Sequence, residues 1–154
     1  MTSGDLEIIE GKIRDAINTF IKRDRNYLMS VDIYEPTISH RIAVYLEGLF
    51  PNYDVDCEYS KNLNAPKTNS TGDKIRPDII IHKRGTDDNL CIIEVKKAGK
   101  DSKNGKNDRE KLTDAVNRGL NYKLGVYIGV LKRRIDICWI EKINNAVKET
   151  CELL

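Results

Sequence analysis

The chain has 154 residues, 32% of them charged and 40% apolar; that length makes one domain with a continuous core, and that balance excludes a disordered polymer. With 26 basic residues against 24 acidic ones the net charge is +2. So small an excess identifies no partner, and any nucleic-acid signal has to come from local clustering of charge.

No apolar run reaches the roughly 20 residues of a membrane span. Asp5, Glu7, Glu10, Lys12, Arg14 and Asp15 put too much charge near the N-terminus for a secretory segment. The cysteines, Cys57, Cys91, Cys138 and Cys151, form no C-x-x-C pair and fit no zinc spacing. Cys91 and Cys138 sit in apolar stretches and read as buried, reduced thiols. The expectation is a cytoplasmic protein with no membrane partner.

Leu6, Ile9, Ile13, Ile17 and Phe20 recur at steps of three and four and predict an amphipathic helix over 5–26. Pro36 opens a second helix that runs to Phe50, with Ile38, Ile42, Tyr45, Leu46 and Leu49 as its buried stripe. Pro51-Asn52 ends it. A short strand follows over 53–59, then a long polar loop over 61–74, a length that is usually functional or mobile. Residues 79–81 and 90–95 are strands joined by the turn-rich segment 84–89. Both are apolar on both faces, so the sheet is expected to be covered on each side. A Gly-containing polar loop over 97–106 leads to a helix over 107–121, strands over 124–131 and 135–140 divided by Lys132-Arg133-Arg134, and a helix over 141–154. The fold class is therefore α/β: one mixed β-sheet flanked by helices in a single domain. Residues 1–34 form an N-terminal helical extension, 35–140 the core and 141–154 a C-terminal helix.

Glu94 and Lys96, two apart on a strand, project to the same face, while Val95 points into packing. If the 79–81 and 90–95 strands pair as a hairpin centred on Thr86, Asp78 lies opposite Glu94, and Asp78, Glu94 and Lys96 share one end of one face. A slip of one residue would send Asp78 to the other side. Two carboxylates about 4 Å apart repel by about 4 kcal/mol at an effective dielectric near 20. A shared proton or a divalent cation offsets that repulsion. An all-oxygen site favours Mg²⁺ or Mn²⁺ over zinc. Lys96 adds a positive charge that can orient or deprotonate a water, or stabilise an anionic transition state.

Pro77-Asp78, a gap of fifteen residues, then Glu94-Val95-Lys96 and Lys97 resemble the PD-(D/E)XK, or restriction-endonuclease-like, superfamily. The resemblance covers residues 36–140, whose predicted order matches that superfamily's core of helix, three strands, helix and strand. It implies a nuclease: Asp78 and Glu94 bind Mg²⁺, Lys96 assists the attacking water, and phosphodiester bonds in DNA or, less often, RNA are hydrolysed. Members commonly add an acidic residue from the first core helix. Glu35 is the preferred candidate for that metal ligand, with Glu58 on the next strand second and Glu47 three turns along the helix. Glu35 also reads simply as an acid at a helix N-terminus, worth about 0.3–1 kcal/mol.

Lys97, Lys100, Lys103, Lys106 and Arg109 crowd the loop and helix entry behind the motif and are the candidate nucleic-acid contacts. Read without function, the same run is a solvated lysine-rich loop. Asp108 and Lys111 share a helix face near the site and are possible additional members. His40 and His82 read as surface or packed histidines. The expected partner is nucleic acid, DNA before RNA. With no separate target-reading domain in the sequence, specificity would come from a homodimer or a partner chain. The competing readings are an inactive nuclease-fold module that binds nucleic acid or acts as a scaffold, and a small regulatory protein unrelated to nucleic acid.

Overall fold

A computed structural model of the chain describes residues 1–117 and 120–154. Its centre is a six-stranded mixed sheet in the order β1-β4-β5-β6-β7-β8. The strands are β1 (Asp54–Cys57), β4 (Ile79–His82), β5 (Asn89–Lys96), β6 (Leu124–Val130), β7 (Ile135–Ile143) and β8 (Ala146–Leu153), while β2 (Lys61–Asn62) and β3 (Ala65–Pro66) make a separate small hairpin. Among the described residues only the β5–β6 pair is parallel. A parallel pair needs a crossover, and helix α4 (Lys103–Asn117) supplies it.

The predicted first helix is α1 (Ser3–Phe20), capped by a reciprocal Thr2–Asp5 box. It continues through a π-helical turn at Ile21–Arg25 into the short α2 (Asn26–Ser30). Ile13, Ile17 and Phe20 are fully buried, so α1 is part of the main core and not an appendage. The second predicted helix is α3 (Glu35–Leu49), with proline in its first turn.

The strands alternate between two cores. Ile79, Ile81, Ile93, Val95, Val126, Ile128, Ile137 and Trp139 pack with α1 and α3. Ile80, Ile92, Tyr127, Cys138 and Ile140 face the other way, onto Leu112, Ala115 and Val116 of α4.

Three expectations are corrected. The segment 141–154 is not a helix: Asn144 and Asn145 adopt φ of +49° and +63°, the left-handed pair a two-residue hairpin turn requires, and the chain returns as β8 antiparallel to β7. Cys138 is not a reduced thiol: it stands opposite Cys151 in that ladder with a Cα–Cα distance of 4.1 Å and is disulfide-bonded to it. Cys91 is free and buried, as expected, and Cys57 is free and exposed. The helix predicted over 107–121 begins earlier, at Lys103, and its expected passage through residues 118 and 119 lies outside the described residues. Among the described residues no helix is long and apolar enough to cross a membrane.

Candidate functional site

The β4/β5 register is the one that a turn centred on Thr86 predicts. Ile79 faces Ile93 and Ile80 faces Ile92, which brings Asp78 level with Glu94. The single irregularity, between Ile81 and His82, falls beyond the site and leaves that alignment intact. Asp78 Oδ2 accepts the Val95 N–H at 2.8 Å, tying the end of one strand to the next.

Helix α4 completes the cluster. A Cβ at Gly105 would lie 2.6 Å from the Gly99 carbonyl oxygen and 2.9 Å from the Tyr127 hydroxyl, so only glycine lets the helix start close against the 98–100 backbone. One turn on, Asp108 is carried under the sheet and is only 2% exposed. Its Oδ1 accepts from Lys111 Nζ at 2.9 Å. Its Oδ2 lies 3.6 Å from Lys96 Nζ and has no hydrogen-bond donor among the described residues. Glu35 arrives from the start of α3: Oε1 lies 3.2 Å from Lys96 Nζ, and Oε2 accepts the Lys97 N–H at 3.0 Å.

Three carboxyls, Glu35, Asp78 and Asp108, therefore act on one ammonium, and Glu94 stands against Asp78 and Asp108. Burial, then the neighbouring charges of Asp78 and Asp108, push Glu94 well above the ordinary glutamate range. Burial also raises Asp78, against the opposing pull of the Val95 N–H, Glu94 and Lys96. The contact between these two carboxyls raises Glu94 and lowers Asp78, so of the two Glu94 holds a proton more tightly. Burial works against the Lys96 ammonium, but Asp108, Glu35 and Asp78 outweigh it and hold its pKa above the usual lysine value. Lys96 thus remains a cation and is a donor here, not a base.

Other expected members stand elsewhere. Glu58 is turned toward Arg76, 3.8 Å away, and shares with Asp78 only a backbone hydrogen bond. Glu47 and His40 are exposed on α3. His82 is buried, with Nε2 2.8 Å from Asp56 Oδ2. The basic loop is largely neutralised from within: Lys97 Nζ is bound by Asp32 and the Ile33 carbonyl, Lys100 Nζ by Asp101, and Arg109 by Glu149. Lys103 and Lys106 are exposed.

Several polar groups around the site were not anticipated. Tyr127 donates to the Ala98 carbonyl at 2.7 Å, and burial, with Asp108 and Asp136, raises its pKa to about 12. Asp136 is buried and holds the Lys100 N–H at 2.9 Å. Both fix the segment leaving β5. Tyr127 and Asp136 lie on apolar strands at alternate-face positions, which is the one signal that marked them in the sequence.

The polar loop after β1 is an ordered strap. Lys67 is 1% exposed and donates to the Tyr122 hydroxyl at 2.6 Å, with its ammonium over the rings of Tyr59 and Tyr122. Burial lowers its pKa to about 8. Further along, the Ser70 N–H reaches Asp114 Oδ2 on α4 at 2.9 Å.

As a metal site the acidic cluster has the right chemistry for a hard cation: oxygen donors only, a carboxyl pair whose repulsion a cation would offset, and a buried carboxylate oxygen without a donor. Among the described residues its carboxyls do not bring three ligand atoms within 4.8 Å of one another. The group of ligand atoms found within 4.8 Å of one another among the described residues is Cys138, Glu149 and Cys151, whose sulfurs are bonded to each other. Mg²⁺ suits a site of few protein ligands, because it keeps several waters and needs only one or two carboxylates. Against known protein families, curated proteins and solved structures, the chain finds no match.

Proposed function

We propose that this chain is a Mg²⁺- or Mn²⁺-dependent nuclease with a restriction-endonuclease-like core, hydrolysing phosphodiester bonds in nucleic acid. The observation that carries the reading is the meeting of Asp78 and Glu94 beside Lys96 at one end of one sheet face. Building this arrangement costs stability, since two carboxyls are held together in a half-buried place, and such costs concentrate at functional sites.

Asp78 and Glu94 would hold the cation, with Glu35 and Asp108 on its flanks. A bound divalent ion supplies Lewis acidity toward the phosphate and a more acidic water. Lys96 orients that water and neutralises charge that builds on the phosphate. Glu35 and Asp108 keep the ammonium protonated and aimed.

The test is calorimetric titration with Mn²⁺, together with cleavage of labelled oligonucleotides in Mg²⁺. Wild type should bind the ion and cleave. Asp78→Asn should lose both while keeping its circular dichroism spectrum. Cleavage that persists unchanged in Asp78→Asn would sink the assignment. The second reading, a module that binds nucleic acid without cutting it, draws on the pairing of Lys96 with Glu35 and Asp108, which engages the lysine the reaction would need. It expects metal-independent retention of DNA in a gel shift and no products.

A further inference from the structure

Beside Glu94 the sheet face continues into a cleft of about 450 Å³ between the strap and α4. This is within the size range of sites for small organic groups. Its floor is aliphatic, made by Ile92, Leu112, Ala115 and Leu120, and its outer wall is the strap from Thr68 to Ile75. That wall is preorganised: Asn69 Oδ1 accepts the N–H groups of Thr71 and Asp73, Ser70 is bound to Asp114, and Lys67 pins the base of the strap inside. Lys74 and Lys111 stand on the rim.

Resting on the nuclease reading, we infer that this cleft receives an unstacked nucleobase and that the substrate is single-stranded or locally unpaired nucleic acid. Three features lead there. The cleft and the candidate site share Glu94, so a group that fills the cleft lies beside the carboxyl pair. The aliphatic floor matches the flat apolar face of a base, while Asp73, Glu94, Glu110 and Asp114 on the walls disfavour a phosphate and can accept from base or sugar donors. Asp108 is 2% exposed, Asp78 and Glu94 are half-buried, and the strap is bridged to α4 through Ser70 and Asp114. In a continuous duplex every base face is covered by its neighbours and only edges are presented. A nucleotide enters such a cleft by leaving the stack, which costs least where pairing is already absent.

The experiment is fluorescence anisotropy in Ca²⁺ with three labelled probes of about 12 nucleotides: a mixed-sequence single strand, an abasic strand of equal length, and a blunt duplex. Cleavage of the same probes in Mg²⁺ is followed in parallel. The mixed strand is expected to bind about tenfold more tightly than either other probe. Thr71→Trp, which fills the cleft from the exposed strap without touching the core, should bring the three within about twofold. Ala115→Leu, filling it from α4, should do the same with an unchanged far-ultraviolet spectrum. Equal affinity for the abasic strand or the duplex overturns the inference. Equally fast Mg²⁺-dependent cleavage of duplex and single strand overturns it too and leaves the nuclease reading standing. Base-dependent binding without cleavage in any divalent ion keeps the cleft and sinks the nuclease. Failure to bind all three overturns both.

Discussion

The two faces of the central sheet are built from the same strands and do opposite work. On the side of α1 and α3, Ile79, Ile81, Ile93 and Val95 meet Ile13, Ile17, Phe20, Ile38, Ile42 and Leu46 in an aliphatic layer. On the side of α4, the alternating residues begin as apolar packing at Ile80 and Ile92 and end as Asp78, Glu94 and Lys96. One strand, β5, therefore carries both a stabilising row and a costly one, offset by a single residue. The dry face provides the rigidity that lets the polar face hold like charges together. A site is placed most accurately on an element whose other side cannot shift.

The contrast is sharpest within this strand. Ile93→Ala should cost about 2–5 kcal/mol of stability, because a fully buried branched side chain is lost from a layer that cannot collapse around it. Urea unfolding monitored at Trp139 would measure this. Any surviving folded protein should retain its metal-dependent cleavage per folded molecule. A loss below about 1 kcal/mol would mean that the two faces are not so unequal in packing.

Three residues along the strand, at Lys96→Met, the expected loss moves from stability to chemistry. The cleavage rate should fall by about 10²–10³-fold, the size of effect seen on removing one donor to developing negative charge. Stability should change little or fall modestly, since Glu35 and Asp108 lose their shared cation. Single-turnover kinetics at saturating Mg²⁺ decides this, and a rate within threefold of wild type would remove Lys96 from the reaction.

The polar face also carries a covalent tie. Cys138 and Cys151 are 13 residues apart and closed by a disulfide across β7 and β8. Opening a loop of about that length should cost about 2–3 kcal/mol, read as a lower urea midpoint in dithiothreitol. A Cys138→Ser/Cys151→Ser double variant should show the lower midpoint with and without reductant. An unchanged midpoint on reduction would show that the hairpin is held by its ladder alone.

The difference between the faces was legible in some residues and hidden in others. Alternation along β5 and the turn around Thr86 set the Asp78–Glu94 register, because period-2 patterning and turn length are both local. Glu35 was picked out differently, from the layout of the superfamily the motif resembles, at the proline-marked start of α3. The C-terminal strand was not: Glu141 to Leu154 lacks Gly and Pro, and its hairpin depends on two asparagines adopting left-handed backbone. An edge strand bearing Lys148, Glu149 and Glu152 shows little strand propensity of its own, and such charges are what keep an edge from pairing further. The depth of Asp108 depends on the rotation and close seating of α4, a tertiary quantity. The burial of Lys67 is likewise invisible in a polar loop, since nothing local announces the aromatic rings that receive it.

The smallest expected effect is also the one that most directly separates a functional carboxyl pair from a structural one. Glu94 has its folded-state pKa raised by burial and by Asp78 and Asp108. A group raised in this way contributes stability that is fully present below the ordinary glutamate pKa and is lost as pH rises through the raised value. Near neutral pH folding of the wild type therefore has to take up a proton that the unfolded chain has lost, a cost that Glu94→Gln avoids, while the glutamine can still donate to Asp78. Glu94→Gln should be more stable than wild type at pH 7–8 without divalent ions. The gap should close as pH falls toward 4, and Mg²⁺ should narrow it by stabilising only the wild type. Thermal melts across that pH range, with and without Mg²⁺, read all three trends. A Glu94→Gln variant less stable than wild type in metal-free neutral buffer would mean that Glu94 is held by favourable contacts, and that the polar face stores no strain for a cation to relieve.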